Sequence, residues 1–189
     1  MEHVLIISSS ENGIPFIVEM LEQIEIVDVD IVSNIEEAKR QIELVVYDLC
    51  IVNAPLTDEF GDQFAKDFVK KNSGEAMVLV KAELYDKAYG KLDPAGVVVV
   101  SKPVSKTVLT NALKVTQATH NRIKHFQNEN EKLQRELQDM KIINRAKCLL
   151  ISCLRMTELE AHKHIERQAM DMRMTKRSVA EGILKTYDN

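Results

Sequence analysis

Residues 44–53, Leu-Val-Val-Tyr-Asp-Leu-Cys-Ile-Val-Asn, decide the fold. Residues 44–52 are nearly unbroken in apolar character, with Asp48 the one charge among them, where a half-exposed strand would alternate. An unbroken run of this kind suits a strand buried on both faces, as in a parallel sheet covered by helices. Working outward, further apolar runs occupy residues 4–7, 25–32, 76–80 and 96–100. Between them, residues 14–23, 35–42, 60–71 and 84–91 carry apolar side chains at helical spacing. Pro103 then marks a turn, and Val104 opens a fifth helix.

Strands and helices in strict alternation over roughly 120 residues predict a flavodoxin-like, doubly wound α/β domain with a parallel sheet, over residues 1–118. In such a sheet, binding chemistry gathers at the C-terminal ends of the strands.

Composition changes after that. Residues 109–144 hold no Pro and no Gly, and Leu109, Ala112, Thr116, Thr119, Ile123, Phe126, Asn130, Leu133, Leu137, Met140 and Asn144 recur at spacings of three and four. This heptad predicts one long coiled-coil helix over residues 109–144, its narrow seam buried against a second copy. Ile123, Phe126, Asn130, Leu133, Leu137 and Met140 are the expected dimer contacts, with Asn130 at an a-type position where a buried amide fixes register. Packing on its own domain instead would call for a wider stripe. Thr157 with Glu160 is a capping-box signal for the next helix, and Thr175 starts the last.

The 189 residues carry 25 basic and 29 acidic side chains, a net charge of −4. The charge is unevenly spread: residues 141–185 hold ten Lys or Arg against five Asp or Glu, leaving 15 against 24 elsewhere. A basic C-terminal segment on an acidic body is the footprint of a nucleic-acid-binding module beside a regulatory one. Three cysteines (Cys50, Cys148, Cys153) without CxxC spacing supply neither a disulfide framework nor a zinc site. No metal and no cofactor is expected. No apolar run approaches the ~18 residues of a membrane span, and Met1-Glu2-His3 is no basic leader, so the expectation is a cytoplasmic protein without membrane contact.

Arg145-Ala146-Lys147-Cys148-Leu149-Leu150, Met156-Thr157-Glu158-Leu159-Glu160-Ala161, Ile165-Glu166-Arg167-Gln168-Ala169-Met170-Asp171, Arg173-Met174-Thr175 and Val179-Ala180-Glu181-Gly182-Ile183-Leu184 together resemble the ANTAR domain, the AmiR and NasR transcription antitermination regulator module. The resemblance implies a small all-α unit of three helices over residues 138–189 that binds paired hairpins in leader transcripts. Cys148 stands where family members frequently have Gly. Loop-selective RNA readers use arginine planes and phosphate-binding cations, and the candidates are Arg145, Lys147, Arg167, Arg173, Lys176 and Arg177. Lys176 and Arg177 fall in a first helical turn, where cations oppose the helix dipole, which suggests a ligand anion. Arg167 also has a plain reading, as a surface pair with Asp171 four residues on. Ala146, Leu149, Leu150, Ile165, Ala169, Met170, Val179, Ala180, Ile183 and Leu184 read as core.

The first part resembles the receiver domain of two-component response regulators, with the phosphorylation machinery gone. The acidic pair corresponds to Ser8 and Ser9, the phosphoacceptor Asp to Asn53, the Thr to Lys81 and the switch aromatic to Val99; Lys102 before Pro103 is retained. Magnesium needs hard carboxylate oxygens, and an amide cannot form an acyl phosphate. This degenerate receiver therefore implies control without aspartyl phosphorylation, through a regulatory protein partner or through constitutive dimerisation. Lys102 reads first as a retained strand-end residue; the other readings are that Lys81 and Lys102 pair with Asp58, Glu11 or Asp48, or neutralise a bound anion.

The leading reading is a dimeric RNA-binding antiterminator. A protein-interaction scaffold without RNA binding is the alternative from another class. A phosphorylated DNA-binding regulator is disfavoured, because the last helices are short and Asn53 cannot accept the phosphoryl group. An enzyme lacks a nucleophile with a base at motif spacing.

Overall fold

The structure, a computed structural model, describes residues 1–26, 28–71 and 74–187. β1 (His3–Ile7), β2 (Asp28–Val32), β3 (Leu49–Asn53), β4 (Glu75–Lys81) and β5 (Val98–Lys102) form one sheet in the order β2-β1-β3-β4-β5. Every pairing is parallel. The helices are α1 (Ile14–Glu22), α2 (Ile35–Leu44), α3 (Asp62–Lys71), α4 (Tyr85–Leu92), α5 (Lys106–Leu154), α6 (Glu158–Met172) and α7 (Lys176–Tyr187). The chain forms two compact units, residues 1–124 and 125–189.

Both faces of the sheet are buried, as the apolar runs require. In β1, Leu5 and Ile7 join Phe64, Phe68, Ile35 and Ala88 of α2, α3 and α4, while Val4 and Ile6 join Ile17, Met20, Leu109 and Leu113 of α1 and α5. Successive strand side chains point to opposite faces, so one short run feeds two layers.

The opening stretch divides differently from its sequence reading. α2 runs on to Leu44, and β3 starts only at Leu49. The Asn34 side chain caps α2 by accepting from Glu37 N–H at 2.9 Å. The helix then continues until its C-cap, the extended Val45. Leu44 and Val46 are consequently among the most exposed apolar side chains of the chain.

The heptad is also divided. Leu109, Leu113, Thr116 and His120 are buried within the first unit, so Leu109 and Thr116, counted in the seam, are occupied at home. Every residue from 121 to 138 is exposed. Phe126, Leu133, Leu137 and Met140 are each more than half exposed, with Ile123 less so.

In the second unit, Ala146 and Leu150 of α5 pack with Ala161, Ile165 and Ala169 of α6 and Val179, Ala180 and Ile183 of α7. Thr157 and Glu160 form the expected capping box, with Glu160 N–H donating to Thr157 Oγ1 at 3.3 Å and Thr157 N–H to Glu160 Oε2 at 2.8 Å. Thr175 Oγ1 accepts from Ser178 N–H at 3.1 Å and opens α7. Met170, read as core, is instead 76% exposed. Ala161, Ile165 and Ala169 make the inward stripe at i, i+4 spacing, and the next residue lies about 100° round the helix, facing away. Leu149 and Leu184 are only partly buried.

Candidate functional site

Three of the basic candidates each tie a different pair of helices. Lys147 on α5 pairs with Glu158 on α6 at 3.2 Å. Lys176 at the start of α7 pairs with Glu166 on α6. Arg177 on α7 reaches Asp139 on α5 at 2.9 Å and Glu181 on its own helix at 2.8 Å. The anions that offset cations in the first turn of α7 are therefore supplied within the chain. The Lys176 hydrogen bond holds the Glu166 carboxyl below its usual range, and the bonds from Glu181 and Asp139 raise the affinity of Arg177 for its proton.

Arg167 and Arg173 are held differently. Arg167 is largely exposed and makes only a loose pair with Asp171 at 3.8 Å, the plain reading of its sequence position. Arg173 caps α6 in the left-handed conformation (φ 53°), its N–H directed to the Ala169 and Met170 carbonyls. Glycine is the ordinary occupant there, because a Cβ crowds the backbone. Arg155, just past α5, has the same φ of 53° and is exposed. It was not among the candidates; the sequence signal that exposes it is its place between the long helix and the Thr157 capping box, where the chain must turn within two residues. Arg145 lies exposed on α5 beside Ala146 of the core.

At the C-terminal ends of the strands, the degenerate receiver residues form a neutral network. Asn53 Nδ2 donates to Ser8 Oγ at 2.9 Å, and the Ser8 hydroxyl donates to Ser10 O at 2.8 Å. Ser9 turns away, donating to Ser33 O and accepting from Thr57 N–H, each at 2.9 Å. Lys102 Nζ donates to Ala54 O at 2.5 Å. It sits directly across the ladder from Lys81.

Of the expected carboxylate partners, Glu11 is exposed and pairs with neither lysine, and Asp58 and Asp48 are engaged elsewhere. Asp58 accepts from Ile35 N–H at 2.8 Å, at the start of α2. Asp48 accepts from Glu2 N–H at 2.5 Å and faces His120, at the opposite end of the sheet. Among the described residues, no carboxylate forms an ion pair with Lys81 or Lys102, and no cluster of three or more His, Cys, Asp and Glu could hold a metal ion. Serine hydroxyls and an asparagine amide offer neither a magnesium cage nor a nucleophilic carboxylate. Ser8, Asn53 and Lys102 are thus brought together, Lys81 stands beside Lys102 on the same face of the sheet, and Ser9 turns away.

Comparison with known proteins agrees with this division. The ANTAR domain model matches residues 131–184. Over 151 residues, which is 80% of this chain and 74% of the relative, the chain is 30% identical to the transcriptional regulatory protein PdtaR of Mycobacterium tuberculosis. In fold, it is similar to a two-component response regulator from Clostridium difficile (TM-score 0.54, 21% identity, covering 62% of this chain and 97% of that one). It is likewise similar to a signal receiver domain of an HD domain-containing protein from Pseudomonas fluorescens Pf-5 (TM-score 0.58, 17% identity, 66% and 92% covered).

Proposed function

The chain belongs to the ANTAR response regulators, and from that premise we propose that it is an RNA-binding transcription antiterminator that dimerises through α5 and works without aspartyl phosphorylation. Residues 1–118 serve as a pseudo-receiver, 109–144 as the dimerisation helix and 138–189 as the RNA-binding unit. The observation that carries this reading is the exposed stretch of α5, residues 121–138, which bears an apolar seam ahead of a basic three-helix unit. An exposed helical stretch draws most of its stability from packing of an apolar face, and an apolar seam along it is stabilised by a second copy. A two-fold dimer presents two copies of one basic surface to two hairpins and gains avidity.

Arg145, Lys147, Arg167, Arg173, Lys176 and Arg177 remain the proposed RNA contacts, joined by Arg155. Arg155, Arg167 and Arg173 meet phosphate or a splayed base first. Lys147, Lys176 and Arg177 exchange a carboxylate partner for a phosphate, so their net contribution is smaller than their charge suggests. Asn53 in the acceptor position supports independence from phosphodonors, and a regulatory protein partner or protein level then sets activity. Among the described residues no helix is long and apolar enough to cross a membrane.

The test is a salt titration of the full chain's affinity for a tandem-hairpin RNA, beside an RNA with altered loop bases and without any phosphodonor. Steeply salt-dependent, loop-dependent binding is expected. Replacing Arg167 and Arg173 by Ala lowers the salt slope by about two while the dimer persists. Salt-insensitive binding to protein with none to RNA would instead establish the scaffold reading. Incubation with acetyl phosphate and magnesium leaves the intact mass unchanged; a stable single-phosphate adduct overturns the phosphorylation-independent part.

A further inference from the structure

At the C-terminal ends of β3, β4 and β5, beside α1, the first unit has an open cleft of about 480 Å³. Phe16, Ile17, Leu79, Pro55 and Val104 supply apolar wall, and Asn53 and Lys102 supply polar groups. The position is where the strand order reverses between β1 and β3, the crevice in which open parallel sheets bind ligands. The volume and the mostly apolar lining with few polar groups are those of a small-molecule site.

The charges in this crevice are unbalanced. Lys102 is partly buried and bonds only a neutral carbonyl, Ala54 O. Its ladder neighbour Lys81 lies outside the cavity lining but close enough to oppose its charge, and no carboxylate among the described residues pairs with either. A cation drawn into a partly dry site is stabilised by a counter-anion. Burial and then Lys81 make the Lys102 ammonium harder to keep charged, a cost that a bound anion offsets. Asn53 uses one N–H on Ser8 and has a second to donate.

We infer that this cavity binds a small organic monoanion, its carboxylate on Lys102 and its short apolar body against Phe16, Ile17, Leu79 and Val104. A single lining cation with neutral donors matches one negative charge better than a phosphate dianion, and the apolar wall is left without a role by an inorganic ion. The pocket lies wholly within the first unit, so the inference stands whether or not the second unit reads RNA.

An amide-resolved NMR titration of the full chain tests it with hexanoate, hexanamide and inorganic phosphate as probes. Hexanoate is expected to shift residues 10–17, 53–54 and 102–104 saturably, with hexanamide and phosphate each about tenfold weaker or more. Lys102→Gln loses about tenfold in hexanoate affinity. Val104→Trp, at a partly exposed loop position, abolishes binding by filling the cavity, and it keeps the test open if Lys102→Gln is unstable. Equal binding of hexanoate and hexanamide, equal binding by Lys102→Gln, or shifts elsewhere on the chain would overturn the assignment. Phosphate binding as tight as hexanoate would overturn its apolar half.

Discussion

The two units bury their apolar residues to different degrees. In the first, both faces of a five-stranded sheet are covered, and the largest fully buried side chains, Phe68, Met20 and Met77 among them, lie there. In the second, the core is built from alanines and a few aliphatic residues, while Phe126, Leu133, Leu137 and Met140 face solvent. Buried apolar area is the main favourable contribution to folding. The first unit therefore contains its own stability, and the second is completed by whatever covers α5.

The largest effect expected from this difference follows from Leu133→Glu combined with Leu137→Glu. Like charges along the seam convert dimer to monomer in sedimentation analysis. Hairpin affinity then falls about 100-fold, because avidity is lost. Unfolding of the first unit is unchanged. A double variant that stays dimeric would place the dimer contact elsewhere and remove the contrast between the units.

Next comes the small core itself. Ile165→Ala is expected to cost the second unit about 2–4 kcal/mol in chemical denaturation, since its neighbours Ala161 and Ala169 cannot fill the space. Met170→Ala, one helical step of 100° beyond Ala169, changes stability by less than about 0.5 kcal/mol. Similar costs for the two would mean that Met170 is covered in the assembled protein, which would sharpen the contrast rather than remove it.

Most of the first unit was legible because parallel strands announce themselves as apolar runs, and each run overlaps a strand of the sheet, although the strands of the second and third runs begin only at Asp28 and Leu49. What misled was the apolar character of Leu44 and Val46, which belongs to the end of a helix and to a connection; composition does not say where Asn34's helix stops. The heptad was legible as a helix but not as two faces, because Leu109 and Thr116 keep the same spacing whether they meet a sheet or a second copy. In the basic unit, residue types were readable but pairings were not. Glu158, Glu166 and Asp139 lie 11, 10 and 38 residues from the cations they meet, and only the fold brings them together. The left-handed backbone at Arg173 was likewise invisible, and at Arg155 the sequence signals a turn but not its hand, since arginine is not a residue that signals positive φ.

Arg173→Gly separates backbone from side chain at the second of those turns. Glycine relaxes the left-handed cap, so stability rises or stays within roughly 1 kcal/mol of the parent. If the guanidinium contacts RNA, hairpin affinity falls about tenfold in the same variant. Unchanged affinity would leave Arg173 as a cap alone.

The smallest expected effect is a pH slope confined to the first unit. His120 on α5 is 4% exposed, and neither ring nitrogen has a hydrogen-bond partner. Nε2 stands 3.4 Å from Asp48 Oδ1, whose companion oxygen holds Glu2 N–H. Burial lowers the His120 pKa from 6.5; Asp48 opposes this, while the chain's N-terminal ammonium and Lys124 reinforce it. The unfolded chain therefore takes up the proton first as pH falls. Stability is full above 6.5, declines as pH drops through that value and levels off below the folded pKa. Asp48 is lowered as well: burial works to raise it, but Glu2 N–H and His120 prevail, so its contribution is lost only below 3.8. Denaturation at pH 7.5 and 5.5 isolates the histidine. The parent is expected to be less stable at the lower pH, and His120→Gln to show a smaller difference, because glutamine carries no titrating proton. An equal difference in both proteins would mean that the buried imidazole is not what makes the first unit sensitive to acid.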